Sequence, residues 1–417
     1  IARKVANKKW KLVDRKVGSG VDPCPRHTLY YREQLADLAD DEEWERFQTS
    51  LTQPLPVTFR FGGYCPHSVR ASLRKQFENE FRTMTGRFVE VGGVILHDDI
   101  VKKIGWPGDD VYQIAADSLT LSKNEGLQPL SSVLRREVHL GHVVRQELAS
   151  MIPALLLGIE GHHNVLDLCA APGSKTEQLL TLMRENAETP PGSKCPQATG
   201  MVVANDPDPE RIRTLKGRYD KSLSPNFLVT CATAEDLAGR FSSGPAFERI
   251  LADVPCSGDG TIRKFPHIWR LFRPRMAIEL HGIQLGIGLA AVSMLRDGGR
   301  LVYSTCSINP IEDEAVVAAL LREHWADGLR LVDTRVAGLL PLLRSRPGLS
   351  SWRCDEDIFV CGETEDTRQE TLRRLPPFSQ SLAPPSDEEA ELFQLDRCHR
   401  ILPHDNDTGG FFVAVLE

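Results

Sequence analysis

The order of elements along this chain predicts an α/β fold with a largely parallel sheet, preceded by a small α+β domain. Three observations carry that reading. From Asn164 onward, short apolar runs alternate with helical stretches, as parallel strands joined by crossover helices do. The first of those runs, at 165–168, leads through a tight loop into a helix start. Before residue 150 the alternation is absent, and short strand candidates sit among amphipathic segments.

The first region spans 1–150. Residues 29–51, acidic from 37 to 45, read as one amphipathic helix, and 55–61 as a strand. Val69, Leu73, Phe77 and Phe81 recur at helical spacing, which predicts a helix over 68–84. Strands follow at 88–91 and 94–96. The second region, 151–417, has predicted strands at 165–168, 201–205, 227–230, 249–253 and 300–304, with helices at 174–184 and 208–219. Residues 188–200, rich in Pro, Gly and Ser, read as a surface insertion. The Arg- and Pro-rich stretch 327–385 gives no clear strand pattern, and 411–416 closes the chain as a buried strand.

At 417 residues, 41% hydrophobic and 26% charged, the chain has the composition of a globular protein with a large core. No apolar run approaches the ~18 residues that cross a bilayer, so no membrane partner is expected. The chain begins at Ile1 without a methionine, and a preceding segment is expected. Ten cysteines without a CxxC pair fit neither a zinc site nor a disulfide scaffold, and suggest a reducing compartment with no metal. The net charge of −7 argues against a generally basic nucleic-acid binder. Residues 1–20 nevertheless carry Arg3, Lys4, Lys8, Lys9, Lys11, Arg15 and Lys16 against Asp14 alone, a run able to grip phosphates.

The loop after the first parallel strand reads Cys169-Ala170-Ala171-Pro172-Gly173-Ser174-Lys175. A dinucleotide fold brings several glycines to its pyrophosphate. A single glycine after proline fits a cofactor without phosphates, such as S-adenosylmethionine. Asp206, directly after the second strand, is placed to accept hydrogen bonds from ribose hydroxyls. It lies beyond the usual ~20-residue spacing, an excess that the 188–200 insertion explains.

Two further strand ends carry cysteines, in Asp253-Val254-Pro255-Cys256-Ser257 and Ser304-Thr305-Cys306-Ser307. Ligands of open α/β sheets bind at the carboxyl ends of the strands, so both thiols are expected beside the cofactor. Enzymes that methylate an exocyclic amine commonly place an aromatic ring where Cys256 stands. Carbon 5 of a pyrimidine is a poor nucleophile, and a thiolate adding to carbon 6 makes it a reactive one. Cys306 is the candidate nucleophile, with Asn309-Pro310 read as cap and first residue of the next helix. Glu312, Asp313 and Glu314 oppose a thiolate, so Lys175, Arg263 and Lys264 are the candidate balancing cations. Asp253 is placed to hold ring nitrogen 3 and the amine of the base. Cys169 is expected to pack and not to react.

At Leu168 to Thr176, Asp253 to Thr261 and Tyr303 to Glu314 the chain resembles the Sun (NSUN/RsmB-type) family of RNA cytosine-5 methyltransferases. Arg145-Gln146-Glu147 and Thr408-Gly409-Gly410-Phe411-Phe412 also match, and the resemblance covers roughly residues 25–417. Arg263-Lys264, Leu280-His281-Gly282-Ile283-Gln284-Leu285 and Arg400-Ile401-Leu402-Pro403-His404 are most like the eukaryotic tRNA-methylating subfamily. The resemblance implies a class I S-adenosylmethionine methyltransferase sheet behind an RNA-binding domain, acting on RNA, most readily tRNA. It implies Cys306 as nucleophile, Cys256 as the residue that assists product release, and cofactor contacts from Cys169 to Lys175, Asp206 and Asp253. A monomer in the nucleus or nucleolus is expected, with the cytoplasm as the alternative.

One departure stands out. Where the family places an aspartate against adenine, this chain has Ala232, in Thr230-Cys231-Ala232-Thr233. Either Thr233 or a backbone amide substitutes, or cofactor affinity is low. The rival readings are a DNA cytosine methyltransferase, against which Cys306 counts, and a catalytically silent RNA-binding scaffold, which only Ala232 suggests. The single-glycine loop disfavours a nicotinamide dehydrogenase.

Overall fold

The computed structural model describes residues 24–35, 40–81, 89–91, 94–96, 100–106, 108, 110–190, 197–219, 224–241, 244–335, 342–375 and 379–417. The basic run within 1–20 lies outside them. Between residues 57 and 145 the described strands are Val57–Phe61 (β1), Val89–Val91 (β2), Val94–Leu96 (β3), Val101–Lys103 (β4), Val111–Ile114 (β5) and Val143–Arg145 (β6). β2 and β3 pair as a hairpin, and the other four form an antiparallel sheet in the order β4–β5–β1–β6. β1 is buried along its whole length because it is a central strand with both faces covered. Phe59 and Phe61 pack with Phe77 and Tyr112, whereas Thr58 and Arg60, on the opposite face, reach Gln146 and the larger domain.

The larger sheet has eight strands. They are Asn164–Asp167 (β7), Met201–Asn205 (β8), Phe227–Thr230 (β9), Phe247–Asp253 (β10), Leu295–Thr305 (β11), Arg346–Pro347 (β12), His399–Ile401 (β13) and Phe411–Leu416 (β14). Their order is β12–β13–β14–β11–β10–β7–β8–β9. From β11 to β9 all pairings are parallel, and β14, β13 and β12 join antiparallel. The chain winds one way from β7 through β8 to β9, then returns to place β10 on the other side of β7. That reversal opens a crevice at the carboxyl ends of β7 and β10, where such sheets hold ligands.

The helices that frame this crevice are Pro25–Gln34 (α1), Asp41–Thr52 (α2), His67–Lys75 (α3), Ser174–Glu185 (α4), Pro209–Tyr219 (α5), Ala234–Arg240 (α6), Arg275–Met294 (α7) and Glu314–His324 (α8). Four of them correct the expectations above. The single helix over 29–51 is two helices, because Asp40 accepts a hydrogen bond from the Glu43 amide at 2.8 Å and starts α2 afresh. α3 ends at Lys75 and widens into a π turn over Gln76–Glu80. α7 is 20 residues long and apolar enough to cross a membrane by length and composition alone. Its Ala277, Ile278, Ile287, Ala290, Ala291 and Met294 are packed in the core, so it is a core helix.

Residues before the small sheet also sit elsewhere than expected. Tyr30, Tyr31, Leu35, Phe47 and Leu51 share one core cluster with Trp269, Phe272, Tyr303 and Ile308. The small sheet has its own core around Phe59, Phe77 and Tyr112. α1 and α2 therefore pack with the crevice-bearing domain, because their aromatic faces find partners only there: the Tyr31 and Phe272 rings lie 5.6 Å apart.

Candidate active site

The loop between β7 and α4 is fastened from both sides. Leu168 N donates to Leu251 O at 2.9 Å and Ala170 N to Asn205 O at 2.8 Å. Asn205 Nδ2 donates to Leu168 O and Ala232 O, at 3.1 and 3.0 Å, joining the loops after β7, β8 and β9. Gly173 has a φ of +101°, a conformation that favours glycine. An added Cβ there would meet the Tyr219 ring at 3.1 Å.

Two buried carboxylates face this loop. Asp167 accepts from Thr176 Oγ1 at 2.7 Å, while its Oδ1 has no partner among the described residues. Burial pushes its pKa up to about 7. Asp206 accepts from Ala171 N at 3.3 Å and Asp208 N at 3.0 Å. Arg211, half-exposed, lies 3.1 Å from Asp206 Oδ2 and leaves that side chain with no exposed surface. Desolvation raises its pKa although Arg211 opposes the shift. The orphaned Asp167 oxygen, the closely approached glycine and Asp206 suit a ligand with an ammonium group and hydroxyls, as the amino acid and ribose of S-adenosylmethionine have. Ribose would reach Asp206 only once Arg211 swings aside.

Thr233 does not stand free at the third strand. Its hydroxyl caps α6 by accepting from Asp236 N at 3.1 Å, and Ala232 is buried. Cys169 packs against the core, and burial raises its pKa well above the usual thiol range.

At the far wall, Lys175 Nζ donates to Asp253 Oδ2 at 2.7 Å and to Ser150 Oγ at 2.9 Å, 5.3 Å from the Phe411 ring centroid. Ser304 Oγ donates to Asp253 Oδ1 at 2.8 Å. Asp253 is thereby oriented by β11 and by the first turn of α4, with 28% of its side chain open to the crevice.

Because β10 and β11 are adjacent and parallel, the loops that leave them run side by side. Cys256 Sγ and Cys306 Sγ are 3.3 Å apart. The neighbouring Cys306 sulfur, then burial, push the Cys256 thiol well up. Gly258, at a φ of +70°, lets the first loop pass the second, and a Cβ there would come 4.0 Å from Cys306 Sγ.

The structure revises the surroundings expected for Cys306. α8 begins at Glu314, not at Pro310. Asn309 closes a turn instead, its Oδ1 accepting from Ile311 N at 3.1 Å and Tyr30 OH at 2.9 Å. Arg263 is held by the carbonyls of Gln53, Pro54 and Thr408 and by Asp407. Lys264 lies over Phe265, and Lys175 is paired with Asp253. Glu312, Asp313 and Glu314 do not repel the thiol from solvent; all three are buried and hydrogen-bonded. Glu312 takes the Ser257 and Ser307 hydroxyls, Asp313 the Thr305 hydroxyl at 2.6 Å, and Glu314 the Arg400 guanidinium at 2.6 Å.

Sequence reasoning missed Ser150 and Ser304, the partners of Lys175 and Asp253, and the buried Asp259. Asp259 accepts from Tyr31 OH and from Ile308 N, the latter at 3.0 Å. Burial, with Glu312 nearby, raises its pKa to about 7. The repeated Cys-Ser pair was the one local signal of a shared acceptor behind the two loops.

Such a sheet with such a crevice is the class I S-adenosylmethionine methyltransferase fold. A family described as 16S rRNA methyltransferase RsmB/F matches residues 154–340. The multisite-specific tRNA:(cytosine-C(5))-methyltransferase trm4b of Schizosaccharomyces pombe is 36% identical over 408 residues, covering 93% of this chain and 58% of that protein. Its Saccharomyces cerevisiae counterpart is 37% identical over 398 residues, with 93% and 54% covered. The chain spans about half the length of the curated relatives it matches. A methyltransferase homologue from Pyrococcus horikoshii shares the fold at a TM-score of 0.57 and 21% identity, covering 93% of this chain and 92% of that one. Residues 154–340 thus match the RsmB/F methyltransferase model, and the chain is similar along nearly all its length to part of these tRNA cytosine-C(5)-methyltransferases.

Proposed function

We propose that this protein methylates carbon 5 of cytosine in RNA, most readily tRNA, through a covalent bond between Cys306 and the base. The observation that carries the reading is the pair of thiols 3.3 Å apart at adjacent strand ends beside Asp253. The names of the similar yeast proteins, tRNA cytosine-C(5)-methyltransferases, support the substrate class. When bound, S-adenosylmethionine supplies an electrophilic methyl group; Asp167, Asp206 and the backbone of 169–175 would hold it.

The chain's own residues do the rest. Cys306 Sγ, as thiolate, forms a bond to carbon 6, and the electron pair of the carbon 5–carbon 6 double bond moves onto carbon 5. Asp253, held by Lys175 and Ser304, accepts a hydrogen bond from the amine of the base, and one from ring nitrogen 3 once that nitrogen has taken a proton from solvent water. After methylation solvent water takes the carbon 5 proton, the double bond re-forms, the sulfur–carbon 6 bond breaks to return the Cys306 thiolate, and ring nitrogen 3 gives its proton back to water. Cys256, 3.3 Å from Cys306, is placed to assist that release. The target base must leave its stack to reach these thiols.

The small sheet stands as an RNA-holding platform, with a boundary near residue 150, and the basic run before residue 20 adds phosphate contacts. The test is methyl transfer from labelled cofactor to RNA and to DNA. Cys306→Ala should abolish transfer and adduct, whereas Cys256→Ala should accumulate a protein–RNA species that survives a denaturing gel. The reverse pattern would assign the nucleophile to Cys256, and transfer to DNA alone would favour the DNA enzyme.

A further inference from the structure

Glu312 is fully buried, and every contact of its carboxylate goes to the two thiol loops or to the helix behind them. Oε1 accepts from Ser257 Oγ at 2.6 Å and from Ser307 Oγ at 3.1 Å. Oε2 accepts from Ser257 N at 2.8 Å and from Gln284 Nε2 at 3.0 Å. Gln284 Nε2 also donates to Pro255 O at 2.9 Å. Ser257 follows Cys256, Ser307 follows Cys306, and Pro255 precedes Cys256. One carboxylate thus joins both flanks of one thiol to the flank of the other. Its own backbone is fixed too, since Tyr303 OH donates to Glu312 O at 2.6 Å.

Burying a carboxylate with no cation against it is costly, and hydrogen bonds must offset that cost. No ion pair to Glu312 is present among the described residues, and the Arg400 guanidinium near its neighbours Asp313 and Glu314 is engaged by Glu314. A buried charge at this junction is what a rigid link between two loops calls for, because charge-assisted hydrogen bonds are short and hold their geometry. We infer that Glu312 is a positioning residue that sets the spacing of Cys256 and Cys306 through Ser257 and Ser307. The inference rests on the reading of Cys306 as nucleophile. The carboxylate is enclosed by protein with no exposed surface to offer a base or cofactor, so its effect is expected on the step after binding.

The test compares Glu312→Ala, Glu312→Gln and the Ser257→Ala/Ser307→Ala pair in the full chain, with Cys306→Ala alongside. A displacement of about 1 Å costs on the order of 100-fold in turnover. Glu312→Ala should lower kcat to that extent, with KM for RNA and for cofactor unchanged. Glu312→Gln should recover most of the rate: its oxygen can face Ser257 N and Gln284, and the two serine hydroxyls can turn to accept from its NH2. The paired serine variant leaves the carboxylate in place and should still lose kcat alone, which keeps the test open should Glu312→Ala not fold. A Glu312→Gln variant as slow as Glu312→Ala would overturn the spacing role in favour of one for the charge itself. Wild-type kcat in Glu312→Ala or in the serine pair, with Cys306→Ala inactive, would overturn the proposal alone. An active Cys306→Ala would overturn the functional reading beneath it.

Discussion

Arg400→Met offers the sharpest test of the packing behind the thiols. Arg400 is 1% exposed and lies between β13 and the loop that carries Cys306. Its Nε donates to Glu314 Oε1 at 2.6 Å, its Nη2 to the other carboxylate oxygen, and its Nη1 to Ile308 O at 2.9 Å. Removing the guanidinium leaves the fully buried Glu314 carboxylate with the Leu349 amide, at 2.9 Å, as its described donor. Breaking a buried pair in this way costs about 3–5 kcal/mol. With an unfolding entropy of about 2.1 cal/mol/K per residue, the 417 residues contribute ~0.9 kcal/mol/K, so Tm should fall by about 3–6 °C. Calorimetry on Arg400→Met, on Glu314→Leu and on the double variant Arg400→Met/Glu314→Leu completes the cycle. The double variant should regain at least half of the loss, because an apolar pair of similar volume replaces a buried ion pair at little cost. A single-variant loss below about 1 kcal/mol, or a double variant as damaged as the sum of its singles, would show no coupling and refute the argument.

Four further outcomes follow from the same geometry. Asp167, at about 7, is raised above its unfolded value, so its stabilising share is complete in acid and lost as pH rises through about 7. Asp167→Asn should therefore flatten denaturant stability between pH 5 and 8, a span over which the parent loses up to ~3 kcal/mol; parallel curves would refute this. Asp206→Ala should weaken S-adenosylhomocysteine binding by about 1.5–3 kcal/mol, and Arg211→Met should strengthen it by uncovering the carboxylate; calorimetry reads both. Tyr31→Phe removes the hydroxyl that Asp259 accepts, and should cost about 1.5–3 kcal/mol in stability and slow turnover at unchanged RNA affinity. Deleting residues 1–20 should do the opposite, weakening RNA binding and its salt dependence while sparing turnover; an affinity unchanged by the deletion at both low and high salt would make that run a solvated tail.

What was legible in the sequence was what neighbours along the chain decide. The strand ends bearing Asp253 and Thr305, the single-glycine loop and the closing strand 411–416 all follow from local apolar runs and their punctuation, and each lies where expected. α1 was not legible as part of the catalytic core, because nothing near Tyr31 reveals an acceptor 228 residues away at Asp259. The same holds for Arg263, whose charge beside the Cys256 loop suggested an electrostatic partner. It instead closes carbonyls at Gln53, Pro54 and Thr408.

The acidic run 312–314 shows why charge counting fails at such a site. Read along the chain, three adjacent carboxylates oppose a thiolate at Cys306. In the fold each points to a different partner: Glu312 to the serines after the two cysteines, Asp313 to Thr305, and Glu314 to Arg400. Their charges still act on one another, since burial, helped by Glu314 and Glu312, raises the Asp313 pKa while Arg400, 3.9 Å from Asp313, opposes it, but each carboxylate has hydrogen-bond donors of its own. Each fixes a separate piece of the loop that carries Cys306: Thr305 before it, Ser307 after it, and Ile308 through the guanidinium shared with Glu314. The run that looked hostile to the Cys306 thiol is the scaffold that holds it, and the order of loss expected on substitution follows from that. Glu314 and Asp313 variants should lose stability first, and Glu312 variants turnover first. Thermal melts and single-turnover rates on the three alanine variants would separate the two patterns, and a common loss of stability with no selective loss of turnover at Glu312 would refute the division.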